Sequence, residues 1–208
     1  MHADMAGAGA TLGAMKFLAE TKAPVNVTMV IAAAENMISG HAYKNGDIVG
    51  SLSGKSIEVG NTDAEGRVTL ADAITYAAQS EEADYIIDIA TLTGAVVMAL
   101  GSDTTGVMAD DEALWESLER SAEKTEDRVW RFPVNSYFAE KVKAKRADLV
   151  NSVSGGAGTI TAGMFLREFA LGTPWMHLDI AGTSYHTDEN AEHPWGASGV
   201  GVELLAEI

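Results

Sequence analysis

The chain of 208 residues is long enough for one large domain, and its 47% hydrophobic and 21% charged content is that of a core-forming globular protein. A formal net charge of −16 sets its surface against nucleic acid and anionic lipid and leaves it open to cations and amines. The absence of cysteine excludes disulfides, thiolate metal sites and a cysteine nucleophile, in keeping with a reducing cytoplasm. No apolar run reaches membrane-spanning length, and no basic segment followed by an apolar one marks a leader.

The first element predicted is a helix over residues 4–22, with Leu12, Met15 and Leu18 as its buried face. Its many small residues suit a close backbone approach. It begins with no lead-in, as expected of a piece of a longer protein. Residues 25–31 are β-branched and predict a strand. Residues 36–67 are polar and glycine-punctuated, with short extended runs near Ile48 and at 56–59; so long an irregular segment is usually functional. A helix follows over 68–79, then an apolar strand at 85–90 that ends in Thr91-Leu92-Thr93-Gly94-Ala95 and opens a short helix. Further expectations are a strand at 104–108, an amphipathic helix at 112–125, an extended stretch at 129–132 and a helix at 138–147. A glycine loop at 155–158, a helix at 159–171, a strand at 175–181 and a closing helix at 200–208 complete the chain. Strand, turn and helix recurring in this way predict an α/β fold, with a mixed, mainly parallel central sheet flanked by helices.

The most concentrated chemistry lies in Asn61-Thr62-Asp63-Ala64-Glu65-Gly66-Arg67. Two carboxylates two positions apart, with only Ala64 between them, at the mouth of a helix, can converge as hard oxygen donors on a divalent cation. The same residue types also make an acidic helix cap. Asp4, before the first helix, carries the same two readings.

Other candidates are weaker. Gly7-Ala8-Gly9 with Gly13 is one residue too long for a dinucleotide fingerprint and follows no strand. The glycine loop before Thr159 lacks the lysine of a P-loop, and a mobile loop is the preferred reading. His186 and His193 do not have zinc-protease spacing, and His177, between Met176 and Leu178, reads as a core histidine with a hydrogen-bond partner. Asp179 interrupts an apolar strand, so it must be paired. It either anchors a neighbouring loop or sits near a site at the strand end.

Taken together, the heptapeptide and several further blocks resemble the leucyl aminopeptidase (cytosol aminopeptidase) family of two-metal exopeptidases. Met1-His2-Ala3-Asp4-Met5-Ala6-Gly7-Ala8 is similar to a family segment with another metal carboxylate. Glu35-Asn36-Met37-Ile38-Ser39-Gly40, Ala42-Tyr43-Lys44-Asn45-Gly46-Asp47, Ala90-Thr91-Leu92-Thr93-Gly94-Ala95, Asp127-Arg128-Val129-Trp130-Arg131 and His177-Leu178-Asp179-Ile180-Ala181-Gly182 follow in family order. The resemblance spans the whole chain and implies a zinc-exopeptidase-like fold and hydrolysis of N-terminal amino acids from peptides. It implies Asp4, Asp63 and Glu65 as ligands of two divalent ions, Mn2+ or Zn2+, with Glu65 bridging. Arg67 would hold a bicarbonate that acts as base on the attacking water. Thr91, Leu92 and Gly94 would line the substrate backbone, and Met1, Asn61, Ala64 and Ala181 the side-chain pocket. Peptides with a free N-terminus, a hexamer and a cytoplasmic location complete the expectation.

The chain also departs from the family pattern. The family uses a lysine and an aspartate ligand and a second, catalytic lysine just upstream of the Asp4 block, and a smaller N-terminal domain before them. Residues 1–208 are therefore expected to be part of a catalytic domain, with an incomplete site and little activity alone. Ser184 stands where well-known members have a methionine, which makes the pocket more open or more polar. The alternative function is a non-catalytic scaffold that keeps the fold without turnover.

Overall fold

The computed structural model describes residues 2–125, 127–189 and 194–208. In chain order the elements are α1 (Ala6–Thr21), β1 (Ile48–Gly50), β2 (Ser56–Glu58), α2 (Gly66–Gln79), β3 (Ile86–Ala90), α3 (Gly94–Leu100), β4 (Thr105–Ala109), α4 (Glu112–Thr125), β5 (Val129–Arg131), α5 (Ser136–Lys141), β6 (Leu149–Val150), α6 (Gly158–Arg167), β7 (Trp175–Asp179), β8 (Tyr185–His186), β9 (Gly196–Ala197) and α7 (Val202–Glu207). They form two compact units, each assembled from separate stretches of chain. The first comprises Met1–Met29, Ile87–Phe132 and Trp175–Ile208, and the second Val30–Ile86 and Pro133–Pro174.

In the first unit the sheet order is β3-β7-β4-β5. β7 runs antiparallel to β4, with Val107 opposite Leu178, and β4 is parallel to β5. At the β3 edge, Ile86 N–H donates to Pro174 O and Ile180 N–H to Ala90 O, the pattern of a parallel pair. The sheet is thus mixed and mainly parallel. β4 and β7 are buried along their whole length, as their unbroken apolar runs require. Val107, Met176, Leu178 and Ile180 pack with Leu114 and Leu118 of α4, Ala10 of α1 and Leu204 of α7.

The second unit carries a smaller sheet, β1-β2-β6, antiparallel between β1 and β2 and parallel between β2 and β6. Ile57, Leu149, Phe165 and Phe169 are fully buried there, the two phenylalanine rings 5.1 Å apart. Lys55 and Lys143 both pair with Glu168, at 2.9 and 3.2 Å. Burial would raise the Glu168 carboxyl, but these two ammonium groups outweigh it and hold the group below the usual carboxylate range.

Several expectations need correction. Residues 25–31 form no strand. β-branched residues favour an extended chain, but a strand exists only against a neighbour, and Val25 and Val27 remain about half exposed. The buried face of α1 is Gly7, Ala10 and Ala14, while Leu12 is exposed. The small residues win because the helix lies against backbone: a Cβ on Gly7 would stand 2.0 Å from Ile89 O. α5 ends at Lys141 rather than near 147. The chain then turns back, so that Lys143 bridges Leu149 and Arg146 reaches Glu58. α6 ends at Arg167, where Phe169 and Ala170 N–H bond three residues back and Leu171 takes a positive φ. α7 starts at Val202, after Gly201 in the left-handed region.

Candidate functional site

In the second unit, the heptapeptide loop leaves β2 and runs into α2, which begins at Gly66 and so takes Arg67 into its first turn. The side chain of Asn151, only 1% exposed, organises this loop. Its Oδ1 accepts from Gly60 N–H (2.8 Å) and Asn61 N–H (3.2 Å), and its Nδ2 donates to Asn61 O (2.8 Å) and Ala64 O (3.1 Å). Gly60 permits the approach, since a Cβ there would meet Ser152 O at 2.6 Å. Asn61 Oδ1 accepts from Asp63 N–H, and Asn45 Oδ1 from Thr62 N–H.

These bonds turn Ala64 inward and leave Asp63 exposed. The Asp63 carboxylate accepts no hydrogen bond among the described residues. Glu65 is the residue before α2, yet its carboxylate does not cap the helix; Oε1 accepts from Asn36 Nδ2 at 2.9 Å. Tyr43 lies nearby with its hydroxyl buried, and burial, then the charge of Glu65, push its phenol above the ordinary range. Arg67 is buried, and its Nη1 donates to Asn151 O at 2.6 Å.

In the first unit, Asp4 does not cap α1 either: its Oδ1 accepts from Thr91 Oγ1 at 2.8 Å. Two residues singled out from the sequence, 87 apart in the chain, are thereby joined. The turn after β3 is held by Asp179, which is 1% exposed. Asp179 Oδ1 accepts from the N–H groups of Leu92 (3.1 Å), Thr93 (3.3 Å) and Ala181 (3.2 Å), and Oδ2 from Thr93 Oγ1 (2.6 Å). Thr93 Oγ1 in turn caps α3, whose first residue is Gly94. Asp179 thus anchors the loop that carries Thr91, Leu92 and Gly94, and steadies Ala181. Ser184 is buried, with its backbone bonded to Ile180 and Ser198.

His177 is a core histidine: its Nδ1 pairs with Asp88 Oδ1, and Asp88 Oδ2 accepts from Trp175 Nε1 at 2.7 Å. Met1 and His193 lie outside the described residues. Among the described residues no group of three or more histidines and carboxylates gathers as a metal site. The donors are nevertheless of the right type. Asp63 is unengaged, and Asp4 and Glu65 each use one oxygen in a hydrogen bond and keep the other, so all three retain hard oxygen donors for a divalent ion.

Sequence reasoning passed over Asn151, Asn36 and Asp88. An asparagine at a strand end has no local signature of what it binds. Asp88, by contrast, carried the same signal as Asp179, a carboxylate inside an apolar strand.

The comparisons with known proteins agree with one another. The family model described as the cytosol aminopeptidase family, catalytic domain, matches residues 1–206. A probable cytosol aminopeptidase of Clostridium tetani is 53% identical over 205 residues, covering 99% of this chain and 43% of that protein. One from Roseiflexus castenholzii is 50% identical over 209 residues, covering 42% of its length. Among solved structures, a tomato leucine aminopeptidase mutant, K354E, superposes with a TM-score of 0.89 at 41% identity, covering 97% of this chain and 39% of that one. The chain therefore spans about two-fifths of the length of these relatives. No helix among the described residues is long and apolar enough to cross a membrane. With its matched fold and a family model covering nearly every residue, the chain belongs to the cytosol aminopeptidase family, within its catalytic domain.

Proposed function

We propose that the protein carrying this chain is a metal-dependent aminopeptidase that releases the N-terminal residue of peptides with a free amino terminus. The observation that carries the reading is the 61–67 loop: Asn151 holds its backbone while the Asp63 carboxylate is left exposed and unengaged. Asp63 and Glu65 would hold a divalent cation, Mn2+ or Zn2+, and Asp4, in the first unit, is a further carboxylate of ligand type. Bound there, the ion supplies Lewis-acid polarisation of the scissile amide.

The chain's own residues do the rest. Arg67 keeps a fixed positive charge beside the carboxylate loop and holds an anion, bicarbonate in this reading, suited to accept a proton from water. The Asp179-anchored turn presents Thr91, Leu92 and Gly94 to the substrate backbone. In the second unit Asn61 and Ala64, and in the first Ala181, are the residues this reading gives to recognition of the N-terminal side chain, and Ser184 is a more polar neighbour for it than a methionine would be. A hexamer in the cytoplasm is the proposed setting.

The test is hydrolysis of a leucyl anilide by the full-length protein. Release of the aniline that depends on Mn2+ or Zn2+ and stops on chelation is the expected result. No metal-dependent release would reject the reading in favour of a scaffold.

A further inference from the structure

We propose that Asn151 is a positioning residue for the metal-binding loop: its buried carboxamide fixes the separation of the Asp63 and Glu65 carboxylates and so sets the affinity for divalent ions. The inference rests on the reading of Asp63 and Glu65 as metal ligands.

The carboxamide offers two donor hydrogens and one acceptor oxygen with two lone pairs. All are used, and all on one five-residue stretch: Gly60 N–H and Asn61 N–H at its start, Asn61 O, and Ala64 O at its end. Ala64 is the residue between the two carboxylates, and its side chain is buried. The Cα positions of Asp63 and Glu65 are therefore set from the residue they flank. The Asn151 carbonyl also takes Arg67 Nη1, which ties the first turn of α2 to the same point.

Asn151 is itself placed by the sheet. It follows Val150, which is in register with Glu58, and its N–H donates to Glu58 O at 3.0 Å. A polar group held by a strand ladder positions a loop more sharply than a group on another loop. No other side chain does the same work here. Aspartate has no donor for Asn61 O and Ala64 O, serine has too few groups, and glutamine is a methylene too long.

The test uses the full-length protein and Mn2+ alone, with free ion counted by electron paramagnetic resonance and thermal unfolding measured on the same samples. Asn151→Asp and Asn151→Ser are compared with Leu149→Ala, a cavity in β6 whose residue is paired with Ile57 and forms none of the hydrogen bonds to the loop. The Asn151 variants are expected to weaken Mn2+ binding by about tenfold or more, the range for groups that orient metal ligands. Leu149→Ala, at a similar fall in Tm, is expected to keep the wild-type affinity. Wild-type affinity in a folded Asn151 variant, or an equal loss in Leu149→Ala, would overturn the inference. Amide exchange on the wild type gives a readout that needs no variant. Gly60 and Asn61 should be protected before any metal is added; fast exchange that slows only with Mn2+ would show that the ion orders the loop and would also overturn it. A wild type that binds no Mn2+ would instead reject the ligand assignment of Asp63 and Glu65.

Discussion

Two buried polar side chains, Asn151 and Asp179, do for their loops what a bound ion does in many sites: each gathers several backbone groups onto one point. For Asp179 the consequence is measurable. It takes three N–H donors and one hydroxyl with almost no exposure, so Asp179→Ala strips partners from buried donors in the turn after β3. Stability should fall by about 2–4 kcal/mol in urea unfolding, and Asp179→Asn, which keeps one acceptor oxygen, should lose less than half of that. Equal losses for the two variants would mean that the charged carboxylate with both oxygens, rather than one acceptor oxygen, holds the turn. The need for partners at Asp179 was legible in the sequence, because a carboxylate in an apolar strand has few alternatives. The role of Asn151 was not, since its partners lie about 90 residues away and only the β2–β6 register brings them near.

Among the elements, those with strong periodic or apolar runs were read well. α4 falls on the predicted residues, and β3, β4 and β7 lie within one or two residues of theirs. Errors cluster where tertiary contact outranks local pattern. α1 buries its glycine and alanines because it lies against the backbone of β3 and beside α7. Residues 25–31 have the composition of a strand without a ladder. The link from α4 to β5 gives an element-scale prediction. Burial lifts the Asp127 carboxyl above its ordinary range; the Thr125 hydroxyl acts in the opposite direction, and the charge of Glu203 on α7 adds to the rise. A carboxyl raised in the folded state favours folding while protonated, and that contribution is lost as pH rises through its folded value. Asp127→Asn should therefore raise Tm at neutral pH, and the gain should vanish well below the carboxylate range. A gain that persists in acid would assign the effect to packing instead.

At the scale of the molecule, no domain boundary was visible in the sequence, and the interleaving of the two units explains why: each is built from stretches far apart in the chain. Family order of short blocks was the stronger guide, and the matched fold and family model bear it out. The central claim is that the 61–67 loop binds divalent cation. It is tested most directly by calorimetric titration of Mn2+ into the full-length protein and into its Glu65→Gln variant, which keeps the shape of the side chain and the Asn36 contact but removes the charge. The account predicts saturable binding by the wild type and at least about a tenfold weaker binding by the variant, as expected when a ligand loses its charge. Equal affinity in the two proteins would contradict it.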